Sequence, residues 1–591
     1  MNIEFIRTGT LIENKYSEYF WAALAMYSSA SIASIVDRIM IGNLLSTKDL
    51  AAATLTTPIL YAVNIIFGLF IYGGNTIAMT YKGRCDGKTA DKCFTISIIL
   101  GSLVMLLFGI IGFLYRSSIT SLTVQSSPEL YQPVYDYFLP QFGFGVLVIL
   151  VNGTCFYIRS DGFKKLAVYI TLVSNVVNLS FDYIFMGIMG YGIMSAAWAT
   201  NIGYFVGMLL LIPYFRSEAR SVHFAHISLR DVKLVLEICN SGMATALSQV
   251  TFFIKTVAMN NIILAAAGTT GMQILAVCMS GYNLAYIFYS GTSQTMLPIG
   301  GALYGEKDYN GLRVLMITGA KITLGICGVI VILFEIFPEQ IAGIFGLHDP
   351  SVMPLLNVAF RLFALSVPAG GLAYVVRAYY QAAGYKNTAS VLALLEGVVF
   401  FVPLLYLLAK INFTAVWLSF VLAPLLSVCV VLIYMQHKAK KEGKNNFLML
   451  GEAAEVKVLD FSIENKVEKA VEASEKIREL CIQNNISSRC ANILALAAEE
   501  LCTNTAKFAY GEKSKFIDIF LKIYPDQIIL KIRDNGAVFN PTEHINESIR
   551  EISGLKTLNS LPVEIIYNRV IGFNTTILIM PASCLPDRVS S

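Results

Sequence analysis

Long apolar segments recur along the first three quarters of the chain, and short polar segments separate them. Each is about 20 residues or longer, which lets a helix cross roughly 30 Å of hydrocarbon at about 1.5 Å per residue. We therefore predict a polytopic α-helical membrane protein with twelve transmembrane helices. The predicted spans lie near residues 17–42, 50–81, 94–115, 134–158, 165–188, 192–215, 242–266, 270–304, 313–337, 352–383, 387–409 and 412–436.

The basic residues between these spans predict the orientation. The connections on the side of the N-terminus carry many Lys and Arg residues, and the opposite side has little beyond Lys48, Arg116 and Lys410. Since short cytoplasmic loops are enriched in Lys and Arg, both termini are predicted to be cytoplasmic, in a bacterial inner membrane. An even number of spans satisfies this orientation.

Composition agrees with a lipid-embedded protein. Only 14% of the 591 residues are charged, against about 25% in soluble domains, and 55% are hydrophobic. The net charge of +4 is too small to argue for a nucleic-acid partner, and none is expected. The 11 cysteines are far apart in sequence, which favours packing roles over disulfides or metal sites.

Two pairs of similar segments indicate an internal repeat. GGNTIAMTYKGRCDGK, from Gly73, resembles SGTSQTMLPIGGALYGEK, from Ser290, and YIRSDGFKK, from Tyr157, resembles YYQAAGYKN, from Tyr379. Both pairs are about 220 residues apart and occur in the same order. Two similar six-helix halves around a substrate cavity are typical of secondary transporters, so we predict two pseudo-symmetric lobes.

After the last span the pattern changes to that of a soluble α/β domain. A strand at VKVLDFSI precedes predicted helices near 464–483 and 487–510, then strands at FIDIFLKIY and QIILKIRD, a helix near 542–561 and a strand at GFNTTILIM. Mixed helices and alternating strands predict an α/β sandwich. We divide the chain into an N-lobe (1–220), a C-lobe (221–440), a linker (441–455) and a cytoplasmic domain (456–591).

Polar residues inside the spans are candidates for function, because ionisable groups at this depth cost about 2.5–3.5 kcal/mol or more. Asn175, Asn178 and Asp182 share one helical face, and Asp37 lies in the first span. These four residues could bind H⁺ or Na⁺. Asp182 could instead be a polar core residue that bonds a neighbouring helix, and Asp37 could simply pair with a cation near the interface.

Further charged candidates in the C-lobe spans are Lys255, Glu335, Arg361, Arg377 and Glu396. Lys255 and Glu396 are deep enough to form a pair, whereas the positions of Glu335 and Arg377 are typical of interfacial residues.

The first 440 residues resemble the multidrug and toxic compound extrusion (MATE) family, through VDRIMIGNL–DLAAATL, YKGRCDGK, RSDGFKK and NLSFDYIFM–GYGIMSAAWAT. The resemblance implies export of small organic, often cationic, compounds in exchange for H⁺ or Na⁺. Asp37, Asn178 and Asp182 match the family's N-lobe site in its proton-coupled branch. The C-lobe has no carboxylate that matches the other branch, which favours protons.

In the C-terminal domain, two short motifs suggest nucleotide chemistry. Glu500 and Asn504 lie four residues apart on ILALAAEELCTNTAKFAY, so the amide could bind Mg²⁺ while the carboxylate orients a water or hydroxyl. In RDNGAVFNP, Asp534 could accept the exocyclic amine of adenine, and Gly536 would allow close backbone approach. GLKTL, from Gly554, follows.

This order resembles the GHKL superfamily of histidine-kinase-like ATPases (the Bergerat fold), and most closely the anti-sigma-factor serine kinases. The resemblance implies ATP and Mg²⁺ as ligands, with Glu500 as the catalytic residue and Asn504 binding Mg²⁺ through the nucleotide. Its implied nucleotide-binding residues are Asn504, Asp534, Gly536, Gly554, Lys556 and Thr576. Lys556 replaces a glycine of the second glycine box, so a degenerate domain without ATP is the alternative.

Three functions remain open at this point. The first is a cation-coupled exporter of organic cations with a regulatory ATP-binding domain. The second is a membrane sensor whose domain acts as an anti-sigma-like serine/threonine kinase on a cytosolic STAS-type protein. The third is a lipid-linked oligosaccharide flippase, which is disfavoured because few deep cations occur beyond Lys255.

Overall fold

The fold is described from a computed structural model of the whole chain. It describes residues 7–124, 128–344, 352–444, 446–451, 456–509, 516–538, 540–541 and 563–581. The chain separates into two compact units. One contains Tyr16–Met449, and the other combines Met1–Lys15 with Leu450–Ser591. The predicted boundaries placed the first 15 residues in the N-lobe.

The first half of the membrane unit contains the spans α1 to α6. Their apolar lengths fit a bilayer, and α4 is bent by 46° between two segments. The bounds are α1 Thr10–Leu45, α2 Lys48–Gly83, α3 Gly87–Leu114, α4 Pro128–Phe142 with Val146–Ser160, α5 Lys164–Ile188 and α6 Met194–Arg216. A short helix, Arg116–Thr123, lies between α3 and α4.

The second half contains α7 to α12. Gly268, with φ 58° and ψ −146°, breaks a continuous helical run into α7 and α8, because this backbone conformation is open to glycine and strained for other residues. The bounds are α7 Leu229–Gly268, α8 Thr270–Gly305, α9 Tyr309–Ile336, α10 Met353–Ala382, α11 Lys386–Ile411 and α12 Phe413–Lys441. A short helix, Pro338–Ile344, follows α9.

The number of spans agrees with the prediction. The described residues contain 11 helices long and apolar enough to cross a membrane, or 12 when bent α4 counts as one span. Many large apolar side chains on their outer faces are exposed, such as Leu114 at 69% and Ile433 at 70%. A soluble protein rarely exposes so much apolar surface, whereas lipid covers it.

The C-terminal unit is a five-stranded antiparallel sheet in the order β1-β2-β3-β5-β4. Apolar side chains alternate along the strands and pack one face of the sheet against two helices, which confirms the predicted α/β sandwich. The bounds are β1 Lys457–Glu464, α13 Val467–Gln483, α14 Ser488–Asn504, β2 Phe516–Ile523, β3 Gln527–Asp534, β4 Glu564–Val570 and β5 Phe573–Pro581.

Two details of this unit differ from the prediction or lie beyond it. The edge strand β4, EIIYNRV, was not predicted, because three polar residues interrupt its short apolar run. The helix predicted near 542–561 lies outside the described residues.

The second face of the sheet is polar, and it is buried by the chain's own N-terminal segment. Arg7 contacts Asp518 on β2 (Nη2 to Oδ2, 3.2 Å) and Asp460 on β1 (Nη1 to Oδ2, 3.3 Å). Thr8 N donates to Ser462 Oγ at 3.1 Å. The Arg7 guanidinium also lies 4.5 Å from the ring centroid of Phe520. Residues 7–15 therefore belong structurally to the domain that begins about 440 residues later.

Candidate functional site

Three of the four predicted ion-binding residues meet between α1 and α5. Asp182, on α5, is fully buried, and its Oδ2 accepts a hydrogen bond of 3.0 Å from Asn178 Nδ2. The carboxyl of Asp37, on α1, lies within hydrogen-bonding reach of the Asp182 carboxyl. We call Asp37 and Asp182 the acid pair.

The acid pair is arranged to hold a proton. In each member the Oδ1 atom is buried, and no N–H or O–H group of the described residues donates to it. Because an ionised carboxylate has only acceptors, a hydrogen bond between two carboxyls requires one proton. A shared proton supplies that donor and removes one buried charge. Without it, each unsatisfied buried acceptor costs about 1–3 kcal/mol or more.

The fourth predicted residue, Asn175, does not join the acid pair. It lies about two turns before Asp182, and its Nδ2 donates to Ser29 Oγ on α1 at 2.8 Å. Its helical face was predicted correctly, since this face of α5 packs on α1. The contact joins α5 to α1 about two helical turns away from the acid pair.

Sequence reasoning missed two neighbours of the acid pair. Thr200, on α6, accepts a hydrogen bond from Asn178 Nδ2 at 3.3 Å. Tyr137, on α4, lies within electrostatic range of both carboxyls. Thr200 stands in the quoted segment GYGIMSAAWAT, so a signal existed, whereas no motif pointed to Tyr137.

A central cavity of about 260 Å³ lies between the two halves of the membrane unit. Its walls combine aromatic rings, amides and hydroxyls from α1, α2, α4, α5, α7, α8 and α10. Among its described lining residues, Arg377 is the one charged side chain, and none is a carboxylate. Such walls suit a flat organic molecule whose polar groups are matched by side-chain amides.

Arg377 is a buried cavity residue and not the interfacial residue that its position predicted. It is 6% exposed, and its Nη1 lies 3.4 Å from Glu396 Oε2 on α11. Its guanidinium stacks 4.0 Å from the ring centroid of Tyr374. The predicted pair of Lys255 with Glu396 is therefore wrong, because Glu396 pairs with Arg377. Lys255 Nζ instead lies 3.9 Å from the ring centroid of Phe401.

Small residues close the two halves against each other at one end of the cavity. A Cβ atom added to Gly242, on α7, would lie 2.1 Å from the carbonyl oxygen of Leu69 on α2. A Cβ added to Gly305, on α8, would lie 2.0 Å from the carbonyl oxygen of Thr80, also on α2. Such backbone contact is possible only for glycine, so this glycine seam holds the conformation closed at that end.

Next to this seam, two segments quoted for the resemblance to the MATE family bind each other. Lys82, from YKGRCDGK, pairs with Asp161, from RSDGFKK, at 3.0 Å. Tyr214 Oη donates to the other oxygen of Asp161 at 2.8 Å. These residues stabilise one end of the N-terminal half and do not line the central cavity.

In the C-terminal unit, the predicted catalytic helix is α14. Burial raises the pKa of Glu500, and the neighbouring charge of Glu499 raises it further. A carboxyl with a raised pKa is suited to accept a proton near neutral pH. Asn504, one turn later, is 2% exposed, and its Nδ2 is a buried donor with no acceptor among the described residues.

The predicted adenine residue Asp534 ends β3 near the end of α14. Its charge contributes, after burial, to raising the pKa of Cys502 on that helix. Asp534 Oδ1 accepts hydrogen bonds of 2.8 Å from Gly536 N and from Asn574 Nδ2 on β5. Asn574, which sequence reasoning missed, therefore orients Asp534, and Thr576 follows two residues later on the same face of β5.

The described residues of this site fit a nucleotide. Asn504 Nδ2 is a buried donor that an oxygen of a bound nucleotide would satisfy, and Asp534 is a carboxylate held in a fixed orientation beside a glycine. A Mg²⁺ ion would have to be held through the amide oxygen of Asn504. The predicted phosphate-side residues Gly554 and Lys556 lie outside the described residues. When bound, the nucleotide would supply a transferable phosphoryl group. The chain would orient adenine through Asp534 and accept a proton at Glu500.

Two family models match the chain. The model MatE matches twice, over residues 22–184 and 244–407, which agrees with the repeat. The model described as histidine kinase-like ATPase domain matches residues 463–560. These matches confirm the predicted fusion of two MATE halves with a C-terminal domain of this kind.

Curated relatives cover most of the membrane unit. The probable multidrug resistance protein NorM of Acinetobacter baylyi is 24% identical over 360 residues, which are 58% of this chain and 77% of that protein. The multidrug export protein MepA of Staphylococcus haemolyticus is 23% identical over 408 residues, which are 68% and 88% of the two chains.

Solved structures show the same fold. A MOP superfamily transporter from Pyrococcus furiosus, described as having a binding pocket of reverse polarity, superposes with a TM-score of 0.67 at 19% identity. The match covers 75% of this chain and 100% of that one. An outward-facing multidrug resistance MATE transporter gives a TM-score of 0.66 at 20% identity, with 74% and 100% covered. The predicted two-lobed fold is thereby confirmed.

Proposed function

The chain belongs to the MatE family and carries a histidine kinase-like ATPase domain, and we propose that it exports small organic molecules in exchange for protons. The observation that carries the proposal is the acid pair, because the buried carboxyl of Asp182 and the half-buried carboxyl of Asp37, which need one shared proton, can take it up and release it. We further propose that both termini lie in the cytoplasm, as the basic loops predict, and that the host is a bacterium, as it is for the similar proteins NorM and MepA.

Protons are proposed over Na⁺ for two reasons. Asn178 turns its N–H donor toward Asp182, whereas a Na⁺ site would need its amide oxygen. In the C-lobe spans, the deep carboxylate Glu396 already pairs with Arg377. Alternating access would then move a proton on and off the acid pair as the glycine seam opens and closes.

The test is dye efflux from proteoliposomes under an imposed pH gradient or an imposed Na⁺ gradient. Asp182→Asn keeps the size of the side chain but cannot release a proton, so we expect flux driven by the pH gradient to be lost. Asn175→Ala, at the level of Ser29, is the matched control and should keep most of the flux. Efflux driven by Na⁺ alone, or full efflux by Asp182→Asn, would contradict the proposal.

The relatives named as multidrug proteins suggest several cargoes, and the resemblance to the MATE family predicts organic cations. The aromatic and amide walls of the central cavity support a flat organic cargo. A cationic cargo remains a prediction of the resemblance, and its counter-charge would have to be the acid pair.

We propose that the C-terminal domain binds ATP with Mg²⁺ and regulates transport. The support comes from the buried Nδ2 donor of Asn504, which an oxygen of the nucleotide would satisfy, and from Asp534, whose fixed orientation fits the adenine role. The Mg²⁺ role of Asn504 comes from the resemblance to the GHKL superfamily. A fluorescent ATP analogue should bind the whole protein and lose affinity in Asp534→Asn. Asp526→Asn, an exposed acidic residue on the β2–β3 turn, is the control and should bind normally. Equal affinity in both variants would contradict the proposal.

A kinase acting on a STAS-type protein is the second candidate, favoured by the raised pKa of Glu500. Such a carboxyl could take the proton of an attacking serine hydroxyl. Incubation with STAS-type proteins and labelled ATP tests this function. Phosphorylation that Glu500→Gln abolishes would support this function. The absence of both phosphate transfer and a complex would exclude it.

A further inference from the structure

The central cavity has one cationic side chain and no acidic one among its described lining residues. This distribution is opposite to what a cationic cargo needs, because a cation in such a cavity meets Arg377, whose partner Glu396 is not among the described lining residues. Exclusion of water from the cavity would strengthen that repulsion.

Arg377 has hydrogen-bond donors to spare. A guanidinium carries five N–H groups; Glu396 accepts from Nη1, and the Tyr374 hydroxyl lies within reach of a second hydrogen bond. Since Arg377 lines the cavity, a molecule bound there could accept from the remaining N–H groups. The stacked ring of Tyr374 fixes the plane of the guanidinium.

A second cation lies behind the cavity wall. Arg159 is fully buried, and both of its hydrogen bonds go to Gln294, at 3.2 Å to Oε1 and 2.9 Å to the carbonyl oxygen. Gln294 lines the cavity. No carboxylate of the described residues pairs with Arg159, so this region holds two cations against the single carboxylate of Glu396.

We propose that the central cavity takes molecules with an acidic group on a flat aromatic body, with Arg377 as the anchor for the acidic group. The N–H groups of Arg377 that neither Glu396 nor Tyr374 uses can form a two-pronged contact with a carboxylate, which a lysine cannot reproduce. Tyr27, Tyr72 and Tyr286 provide ring surface and hydroxyls for the body of the molecule. This inference rests on the proposed function as an exporter and assigns the class of its cargo.

The test uses three coumarins that share one body and carry a carboxylate, a carboxamide or an aminomethyl group. Fluorescence anisotropy with the detergent-solubilised protein measures binding, and flux from proteoliposomes measures export. We expect the carboxylate to bind best and Arg377→Gln to weaken it about tenfold or more, with little change for the carboxamide. Arg377→Lys should recover only part of the loss. Lys255→Met removes a buried cation that does not line the cavity and is the matched control.

The possible outcomes distinguish the acidic-cargo inference from the proposed export function. Preferred binding of the aminomethyl coumarin, or binding of the carboxylate that Arg377→Gln leaves unchanged, would overturn the acidic-cargo inference while export could stand. Selective binding without flux under any gradient would support the cavity's preference and remove the proposed exporter.

A separate observation concerns the N-terminal segment of the ATPase-like unit. Arg7 and Asp518 have side chains with no exposed surface, and Ser462 Oγ links Thr8 to Asp518 through a further hydrogen bond of 2.7 Å. Thr10 then begins α1, which continues to the acid-pair residue Asp37. We infer that residues 7–15 are a strap by which the domain acts on α1.

The strap's role rests on the proposed regulation by ATP. In Arg7→Gln we expect gradient-driven flux and binding of the ATP analogue to persist, while the effect of ATP on flux disappears. Glu13→Gln, an exposed change in the same segment, is the control. Hydrogen exchange of residues 7–15 and β2 checks that the strap has been released.

Release of the strap with an unchanged ATP effect would overturn the strap's role alone. A wild-type protein whose flux does not respond to bound ATP would overturn the proposed regulation and, with it, the strap's role.

Discussion

The two halves of the membrane unit match the same family model but hold their buried charges in opposite ways. The N-terminal half places two carboxyls together, Asp37 and Asp182, with an amide beside them. The C-terminal half pairs a cation with a carboxylate, Arg377 with Glu396, and packs Lys255 on aromatic rings. A repeat therefore preserves the backbone while its ionisable residues diverge.

This difference assigns proton coupling and binding of a charged cargo to different ionisable groups. An acid pair that needs a shared proton changes its charge when the proton leaves, so it can couple transport to a gradient. A cation whose charge is partly balanced by one carboxylate keeps its charge and can hold an anion. The N-terminal half therefore suits coupling, and the C-terminal half supplies the cation that would anchor a cargo in a cavity lined by both halves.

The largest expected effect is that of Asp182→Asn on coupling. Flux driven by the pH gradient should fall about 100-fold, since removal of an ionisable coupling group costs at least ~2.7 kcal/mol at about 1.36 kcal/mol per tenfold change. Binding of the coumarin carboxylate should stay within about threefold of wild type, because the cavity is lined by other residues. Loss of both activities would mean that the tasks are not divided between the halves.

The second largest effect is expected at the glycine seam, where the two halves contact each other. Gly242→Val should lower flux about tenfold or more, because its Cβ would collide with the carbonyl oxygen of Leu69 and open the closed end. Gly325→Val, on α9, is the control, since a Cβ there meets no atom within 4 Å. Equal flux in the two variants would contradict a role for the seam.

A moderate effect is expected for Glu396→Gln in the C-terminal half. Arg377 would keep its charge but lose its partner, which should cost about 1–3 kcal/mol of unfolding free energy in a thermal or denaturant scan. The coumarin carboxylate should bind more tightly, because it would replace the missing carboxylate. Weaker binding would show that Glu396 serves the cargo directly.

The smallest effect concerns two adjacent glutamates of the C-terminal unit, Glu499 and Glu500. The pKa of Glu500 is raised first by burial and then by Glu499, so Glu499→Gln should lower that pKa. The acid limb of ATP turnover should then move to lower pH by less than about one unit, because burial remains. A shift to higher pH would contradict Glu500 as the proton acceptor.

The sequence predicted those features whose cause is local. Hydropathy placed the spans within several residues of their observed bounds, except that α7 begins at Leu229, well before the predicted residue 242, and helical spacing put Asn178 and Asp182 on one face. The resemblance to known families supplied the fusion, and the comparisons confirm it. The order of Asp534 and Gly536 likewise matches their hydrogen bond in the turn.

Features that depend on distant contacts were not predictable. Arg7 finds its partner Asp518 511 residues later, and no pattern near either residue indicates it. Arg377 could have paired with solvent, lipid headgroups or Glu396, and the choice depends on how α10 packs against α11. Asn574 orients Asp534 across the sheet, which requires the register of β3 with β5.

One measurement tests the central claim most directly, namely that the acid pair couples protons while a separate cavity holds the cargo. Proteoliposomes with an internal pH dye would record proton movement and cargo flux together, in wild type, Asp182→Asn and Arg377→Gln. We predict coupled signals in wild type, bound cargo without proton movement in Asp182→Asn, and loss of both signals for the carboxylate probe in Arg377→Gln. Proton movement that continues with cargo in Asp182→Asn would contradict the account.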